Sequence, residues 1–533
     1  MDLRMLSLLQ RLTGLSLATL LILPAPAVGA AERAPPADLA SHIQNVLSQP
    51  AGTAIGGQPV QLVAVQQIYR ARANRPIWLA PEAAGLASQL TATLAAAGAH
   101  GLDIGDLHLA VVQEHKNQTD PRALAETDIL LTDAYLRYAR RARPDNVERV
   151  ASFWLIEPDR HDAAAALTTA INAGTVPELL QSLLPTDPQY LLLVDALRRY
   201  RAIVAAGGWP LIPGTDELKI DKRDPRLPLL RRRLIAEGDL DAAVDDGSVS
   251  RVAEALRRFQ ARHGLDPDGR VGSRTLAELN TPAERRVAQI LANLERWRHM
   301  PRALPPTRVA VNTATATLEL IRDDEPVLDM RVIVGDPEHP TPVLAADITG
   351  VVVNPPWNVP PSIAQKEILP KLMRDPDYLA RNNMVVSERG TLRQLPGPKN
   401  SLGRIKMDMP NPVDVYLHDT PSRKLFQRAE RGLSHGYVRL ERPIDLALEL
   451  LAGTRWGAES LAAQIAAGDT RRIALERRVP VYILYWTAFV EPGEVVNFRR
   501  DLYGRDRIDE FLLGPLPPAV ACAAPIGSTG CGT

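Results

Sequence analysis

The stretches Thr307-Arg308-Val309-Ala310-Val311, Thr317-Leu318-Glu319-Leu320-Ile321 and Met330-Arg331-Val332-Ile333-Val334 decide how this chain folds. Successive side chains on a strand point to opposite faces. Here Val309 and Val311, then Thr317, Glu319 and Ile321, then Met330, Val332 and Val334 recur at every second position, with Asp323-Asp324 and Gly335 as turns. This predicts a β-rich domain opening at about residue 307. Further strands are expected over 348–353 and 413–417, and a late pair over 479–489 and 495–498 around Pro492-Gly493. The intervening 360–406 is helical in pattern and broken by Pro and Gly, which reads as an insertion between strands of the kind that can close over a substrate.

Upstream of residue 307 the period is helical. Leu130, Leu131, Ala134, Leu136 and Tyr138 recur at short helical spacings, and Tyr190, Val194, Leu197 and Ile203 repeat the pattern. Pro76, Gly101, Pro144 and Pro185 interrupt it, and Gly207-Gly208-Trp209-Pro210 ends it, as expected for a multi-helix scaffold. A compact module follows. Leu227, Leu230, Leu234 and Ile235 form a first helix stopped by Gly238, and Val252, Leu256, Phe259 and His263 a second ended by Gly264. The turn Asp266-Pro267-Asp268-Gly269 leads to a third short helix at Thr275 and Leu276.

With 533 residues the chain is long enough for several such units, and the fold class is multidomain α+β. Lys+Arg and Asp+Glu both number 62, so no global field steers the protein to nucleic acid. Cys522 and Cys531 are its two cysteines, which excludes a Cys-rich zinc site and a disulfide-framed core; no metal and no cofactor is expected. Arg4 and Arg11 precede an apolar run over 15–23 and the small residues Val28-Gly29-Ala30. That pattern predicts a cleaved export signal, too short to span a bilayer, and a periplasmic protein with no transmembrane segment after cleavage.

Two resemblances add to this reading. Arg258-Phe259-Gln260, His263-Gly264-Leu265, Asp268-Gly269, Val271-Gly272, Thr275-Leu276 and Leu279-Asn280 resemble the peptidoglycan-binding domain of type 1. The same positions serve as helix core and turn glycine, so a three-helix spacer without ligand is the competing reading. The second resemblance rests on the segment 354–360 (Asn354-Pro355-Pro356-Trp357-Asn358-Val359-Pro360), on Asn400-Ser401-Leu402-Gly403-Arg404, on Tyr416-Leu417-His418-Asp419-Thr420-Pro421 and on Ser434-His435-Gly436-Tyr437-Val438-Arg439. Together they resemble the catalytic domain of L,D-transpeptidases of the long periplasmic type. The implied organisation is a signal peptide (1–30), a helical scaffold (31–222), a three-helix peptidoglycan-binding domain (223–281), a connecting helix (282–306), a β-rich catalytic domain (307–498) with a helical lid (about 360–406), and a tail (499–533).

The resemblance implies an enzyme whose cysteine thiolate attacks a stem-peptide amide and passes the acyl group to an amine on a second stem, giving 3-3 cross-links. It implies His418 as the imidazole, Gly436 and the backbone after it as oxyanion donors, and Arg439 as an orienting cation beside His435. Trp357, Asn358, Arg404 and Tyr416 would bind substrate, and the partners would be stem peptides and the sacculus. Where the family motif has its cysteine, this chain has Tyr437. A phenol of pKa ~10 is only about a thousandth ionised near neutrality, and loss of a nucleophile costs on the order of 10⁶ in turnover. The expected function is therefore wall binding or regulation by a catalytically disabled member. The competing readings are an active transpeptidase or hydrolase using Tyr437, Ser434, Cys522, Cys531 or water, and a structural envelope protein without ligand. His418 and His435 could equally hold loops by hydrogen bonding.

Overall fold

The computed structural model describes residues 39–506 apart from 51, 145–152, 222–223, 244, 389 and 492–494. The export signal, Cys522, Cys531 and the Pro492-Gly493 turn lie outside the described residues.

The strands are β1 (Trp154–Leu155), β2 (Arg308–Asn312), β3 (Thr317–Arg322), β4 (Glu325–Gly335), β5 (Val343–Val353), β6 (Trp357–Asn358), β7 (Met384–Val386), β8 (Leu392–Gln394), β9 (Ile405–Asp408), β10 (Leu417–His418), β11 (Gly432–Ser434), β12 (Val438–Leu440), β13 (Arg471–Leu484), β14 (Ala488–Glu491) and β15 (Val495–Phe498). The main sheet runs β5-β13-β2-β3-β4-β12-β10-β9, and β9 pairs back onto β5, so it closes on itself. Val309, Val311, Leu318, Leu320, Val332, Val334, Val351, Met407, Val438 and Val481 share its buried core. On β3 it is Leu318 and Leu320 that are buried, and Thr317, Glu319 and Ile321 lie on the opposite face. Asp323 and Asp324, both at positive φ, make the β3–β4 turn, a conformation Asp tolerates better than most side chains.

Several boundaries differ from the sequence reading. The expected strand over 413–417 is reduced to Leu417–His418. The insertion is not purely helical: short helices between Pro361 and Arg381 sit beside a three-stranded sheet ordered β6-β8-β7. The late pair β14–β15 leaves the barrel domain and packs with the Pro188–Ala205 and Ala283–Arg298 helices. The latter helix is core rather than connector, since Ile290, Asn293, Leu294 and Arg296 are fully buried. Residues 499–506 are not a free tail: the buried Arg505 guanidinium donates to Thr341 O at 3.0 Å.

The scaffold helices Leu86–Ala96, Pro121–Ala142 and Ala163–Ala173 share a separate core containing Leu90, Ile129, Tyr135 and Leu167. Residues 212–279 have a core of their own around Leu230, Leu256, Phe259 and Leu276. This module does not stand free. Arg262 pairs with Glu237 and Asp239 and donates to Val496 O, while Arg499 donates to Arg262 O at 2.8 Å. His263, 3% exposed, stacks between Phe259 and Phe498 and pairs with Glu278, so it is held by packing within the module.

Candidate active site

The turn that carries Tyr437 is set by backbone constraints. β11 pairs with β4 in parallel, with Ser434 opposite Gly335, and β12 pairs with β4 in the antiparallel sense. The chain must reverse between Ser434 and Val438, and Gly436 does so at φ +93°, a region where a side chain is strained. A Cβ on Gly335 would lie 2.1 Å from His339 O and 3.1 Å from the Gly436 Cα, so glycine there admits the turn. Thr341 locks the pair: its Oγ1 donates to Gly436 O at 3.0 Å and accepts from Gly335 N at 2.9 Å. The buried Ser434 donates to Tyr437 O at 2.5 Å, which engages the hydroxyl proposed as a substitute nucleophile.

His418 sits on β10, whose neighbour β12 places Arg439 directly opposite. Its Nδ1–H donates to the Asp419 carbonyl at 2.5 Å, which turns Nε2 into the basic nitrogen. Burial, reinforced by the Arg439 charge, pushes the imidazole down to about 3, so it is neutral near pH 7. Asp419 is held in turn by the Arg404 and Thr420 N–H groups at 2.7 and 2.6 Å and by an ion pair with Arg423. Gly403 belongs to this arrangement, because a Cβ there would collide with the Asp419 carboxylate. The Asn400–Arg404 segment thus contributes backbone to the support of His418.

The Tyr437 ring stacks on Tyr416 at 4.3 Å between centroids and meets His418 edge-on at 6.4 Å. Burial raises its pKa above the usual phenol value. Burial, with Tyr437 beside it, raises that of Tyr416, which packs against the cluster holding Trp357. Tyr437, Tyr416, Trp357 and His418 thus form one group, with Gly436 and Arg439 beside it. Asn358 is exposed, and its strand pairs with Arg393. Val438 N–H is occupied by Tyr416 O, which leaves the Gly436 and Tyr437 N–H groups as candidate oxyanion donors.

Two charged residues at the site escaped the sequence reading. Glu367, on a π-helical turn of the insertion (Ala364–Ile368), reaches His435 Nε2 at 2.7 Å and counteracts the fall that burial imposes on the Arg439 pKa. Lys406 lies opposite His418 on β9, its ammonium 4.1 Å from the Tyr416 ring centre and its pKa lowered by burial. The strand alternation at 405–408 was the available signal for Lys406. A lone acid on a polar lid helix gave none for Glu367. Among the described residues no cluster of three or more His, Cys, Asp or Glu could hold a metal ion.

Residues 306–470 match the family model of the L,D-transpeptidase catalytic domain. The chain carries an L,D-transpeptidase catalytic domain. Residues 223–279 match the peptidoglycan binding domain and 63–197 the scaffold domain. A Haemophilus influenzae protein whose name describes it as an L,D-transpeptidase is 35% identical over 248 residues, 43% of this chain and 50% of that protein. The chain therefore spans about half the length of the curated relative it matches. Solved L,D-transpeptidases from Mycobacterium smegmatis and Mycobacterium tuberculosis align at 13% and 14% identity. They cover 33% and 34% of this chain and 58% and 62% of their own, with TM-scores of 0.19 and 0.18.

Proposed function

We propose that this chain with an L,D-transpeptidase catalytic domain is an exported wall protein that holds stem peptides in the Tyr416–Tyr437–His418 site without forming an acyl-enzyme. One observation carries the reading: the side chain at the turn after Gly436 is a phenol stacked on Tyr416, with His418 edge-on at 6.4 Å between ring centres and, among the described residues, no hydrogen bond joining the two. A nucleophile needs a base within hydrogen-bond reach or a lowered pKa, and Tyr437 has neither. Burial favours the protonated phenol, so the attacking phenolate is rarer than in a free tyrosine.

The roles of His418, His435, Gly436 and Arg439, and of Trp357, Asn358, Arg404 and Tyr416 toward substrate, belong to this proposal. The sequence pattern at residues 4–30 supports export to the periplasm, and among the described residues no helix is long and apolar enough to cross a membrane. A second reading, hydrolysis by water, draws on the neutral His418 with its Nε2 as acceptor. Incubating the protein with stem tetrapeptides and weighing both protein and peptide separates these readings. Reversible binding with unchanged masses is expected. A cleaved peptide would favour the hydrolase, and a covalent adduct would overturn the proposal.

A further inference from the structure

A large cavity lies away from Tyr437. A cleft of about 1450 Å³ separates the peptidoglycan-binding module from the outer face of the barrel, larger than the roughly 300–1,000 Å³ typical of small-molecule sites. One wall is the module itself, through Gly264–Asp266 and the Ser273–Leu279 helix. The other is the outward face of β2, β3 and β4, where Ala310, Glu319 and Asp329 form one cross-strand row and Asn312, Thr317 and Arg331 the next. Gly432 and Leu433 of β11, the strand that leads into the Tyr437 turn, close one end.

We infer that this cleft binds a glycan strand, an uncharged polymer of N-acetylated hexosamine, so that wall recognition is shared between the module and the barrel. The inference rests on the wall-binding reading above and locates its binding surface. Three features carry it. The module's Phe259 is fully buried in packing and offers no ligand surface, whereas the part of the module from His263 to Asp266 and along the Ser273–Leu279 helix borders the open cleft. The cleft's acidic and basic residues are nearly balanced, and several are paired, Arg308 with Asp324, Arg331 with Glu441, and Arg274 and Arg500 with Glu430, which suits a neutral polymer and not a polyanion. The outward rows present the amide of Asn312, the hydroxyl of Thr317, the carboxylates of Glu319 and Asp329 and the guanidinium of Arg331, donors and acceptors that sugar hydroxyls and acetamides can use. A strand seated there would lie against Gly432 and Leu433 of β11, the strand that leads into the Tyr437 turn, which would bring its stem peptides toward that site.

Calorimetric titration with the hexamer of N-acetylglucosamine tests this, with pelleting on sacculi as the parallel arm. Ala310→Trp fills the cleft from the barrel side and Glu319→Lys unbalances it. Each should weaken hexamer binding by about tenfold or more, while Arg251→Ala, on an exposed module face outside the cleft, binds as wild type. Melting curves report folding, and the exposed Glu319→Lys decides the matter if Ala310→Trp does not fold. Unchanged binding by a folded cleft variant, or loss on Arg251→Ala, overturns the inference. If the wild type pellets with sacculi but ignores the hexamer, the cleft inference fails and wall binding stands; if it does neither, both fail.

Discussion

Tyr437 lies nearly flat on Tyr416, the two planes 22° apart, and His418 meets its ring edge-on with no hydrogen bond between them among the described residues. The base and the residue in the nucleophile's place are neighbours that do not share a proton. Carbapenems, the β-lactams that acylate the cysteine of family members, should therefore leave the protein unmodified. Intact-mass measurement after prolonged incubation checks this, and an adduct mapped to Tyr437 would reveal an activated phenol.

The buried His418 ties stability to pH. Its imidazole titrates at about 3 in the fold, against about 6.5 in an unfolded chain. The unfolded chain thus takes up the proton first as the pH falls. The contribution of His418 is fully present above about pH 6.5 and is lost as the pH falls toward 3, at roughly 1.4 kcal/mol per pH unit. Glu278 and Glu295, both held near 2 against burial by Arg and His partners, act in a lower window, below their usual value of 4.5. Denaturant titrations between about pH 6.5 and 4.5 should therefore show a slope in wild type that His418→Gln reduces, the remainder coming from His263 and His100, whose pKa values burial also lowers. Equal slopes would mean that the imidazole is charged in the fold.

The module and the rest of the chain should unfold together. Glu237 is fully buried between Arg233 and Arg262, and Arg262 carries the bond to β15. Glu237→Ala strands two buried guanidinium groups and should cost about 3–5 kcal/mol. Phe259→Ala, which empties a position at 0% exposure, should cost a similar ~3–5 kcal/mol. Calorimetry should show both losses in a single shifted transition. A separate early transition confined to the module would show that the interface does not couple them.

The strands at 309–311 and 330–334 and the helices around Phe259 were legible because their burial follows a local period. Barrel closure through β5 and β9, and the departure of β14–β15 to the helical layer, were not, since pairing between distant segments is decided by packing. The site divides in the same way. Tyr416, His418, Gly436 and Tyr437 stand in dense local motifs, and the structure gathers them. Glu367 reaches His435 only because the insertion folds over the barrel, and a charged residue on a polar helix gives no sign of that. Arg404, expected to bind substrate, also holds Asp419 through its backbone N–H, a role the side-chain type does not announce.

Replacing the phenol by a thiol tests the central claim, that the site is disabled at Tyr437 and intact around it. His418, the Gly436 turn and the Asp419 support do not depend on the Tyr437 ring, so Tyr437→Cys should fold with some loss of packing against Tyr416. The measurement is the intact mass of Tyr437→Cys after exposure to a carbapenem, with Tyr437→Cys/His418→Ala alongside. The account predicts one stoichiometric adduct on residue 437 in the first protein and its near-absence in the second. A folded single variant that stays unmodified would contradict it, because the site would then lack more than its nucleophile.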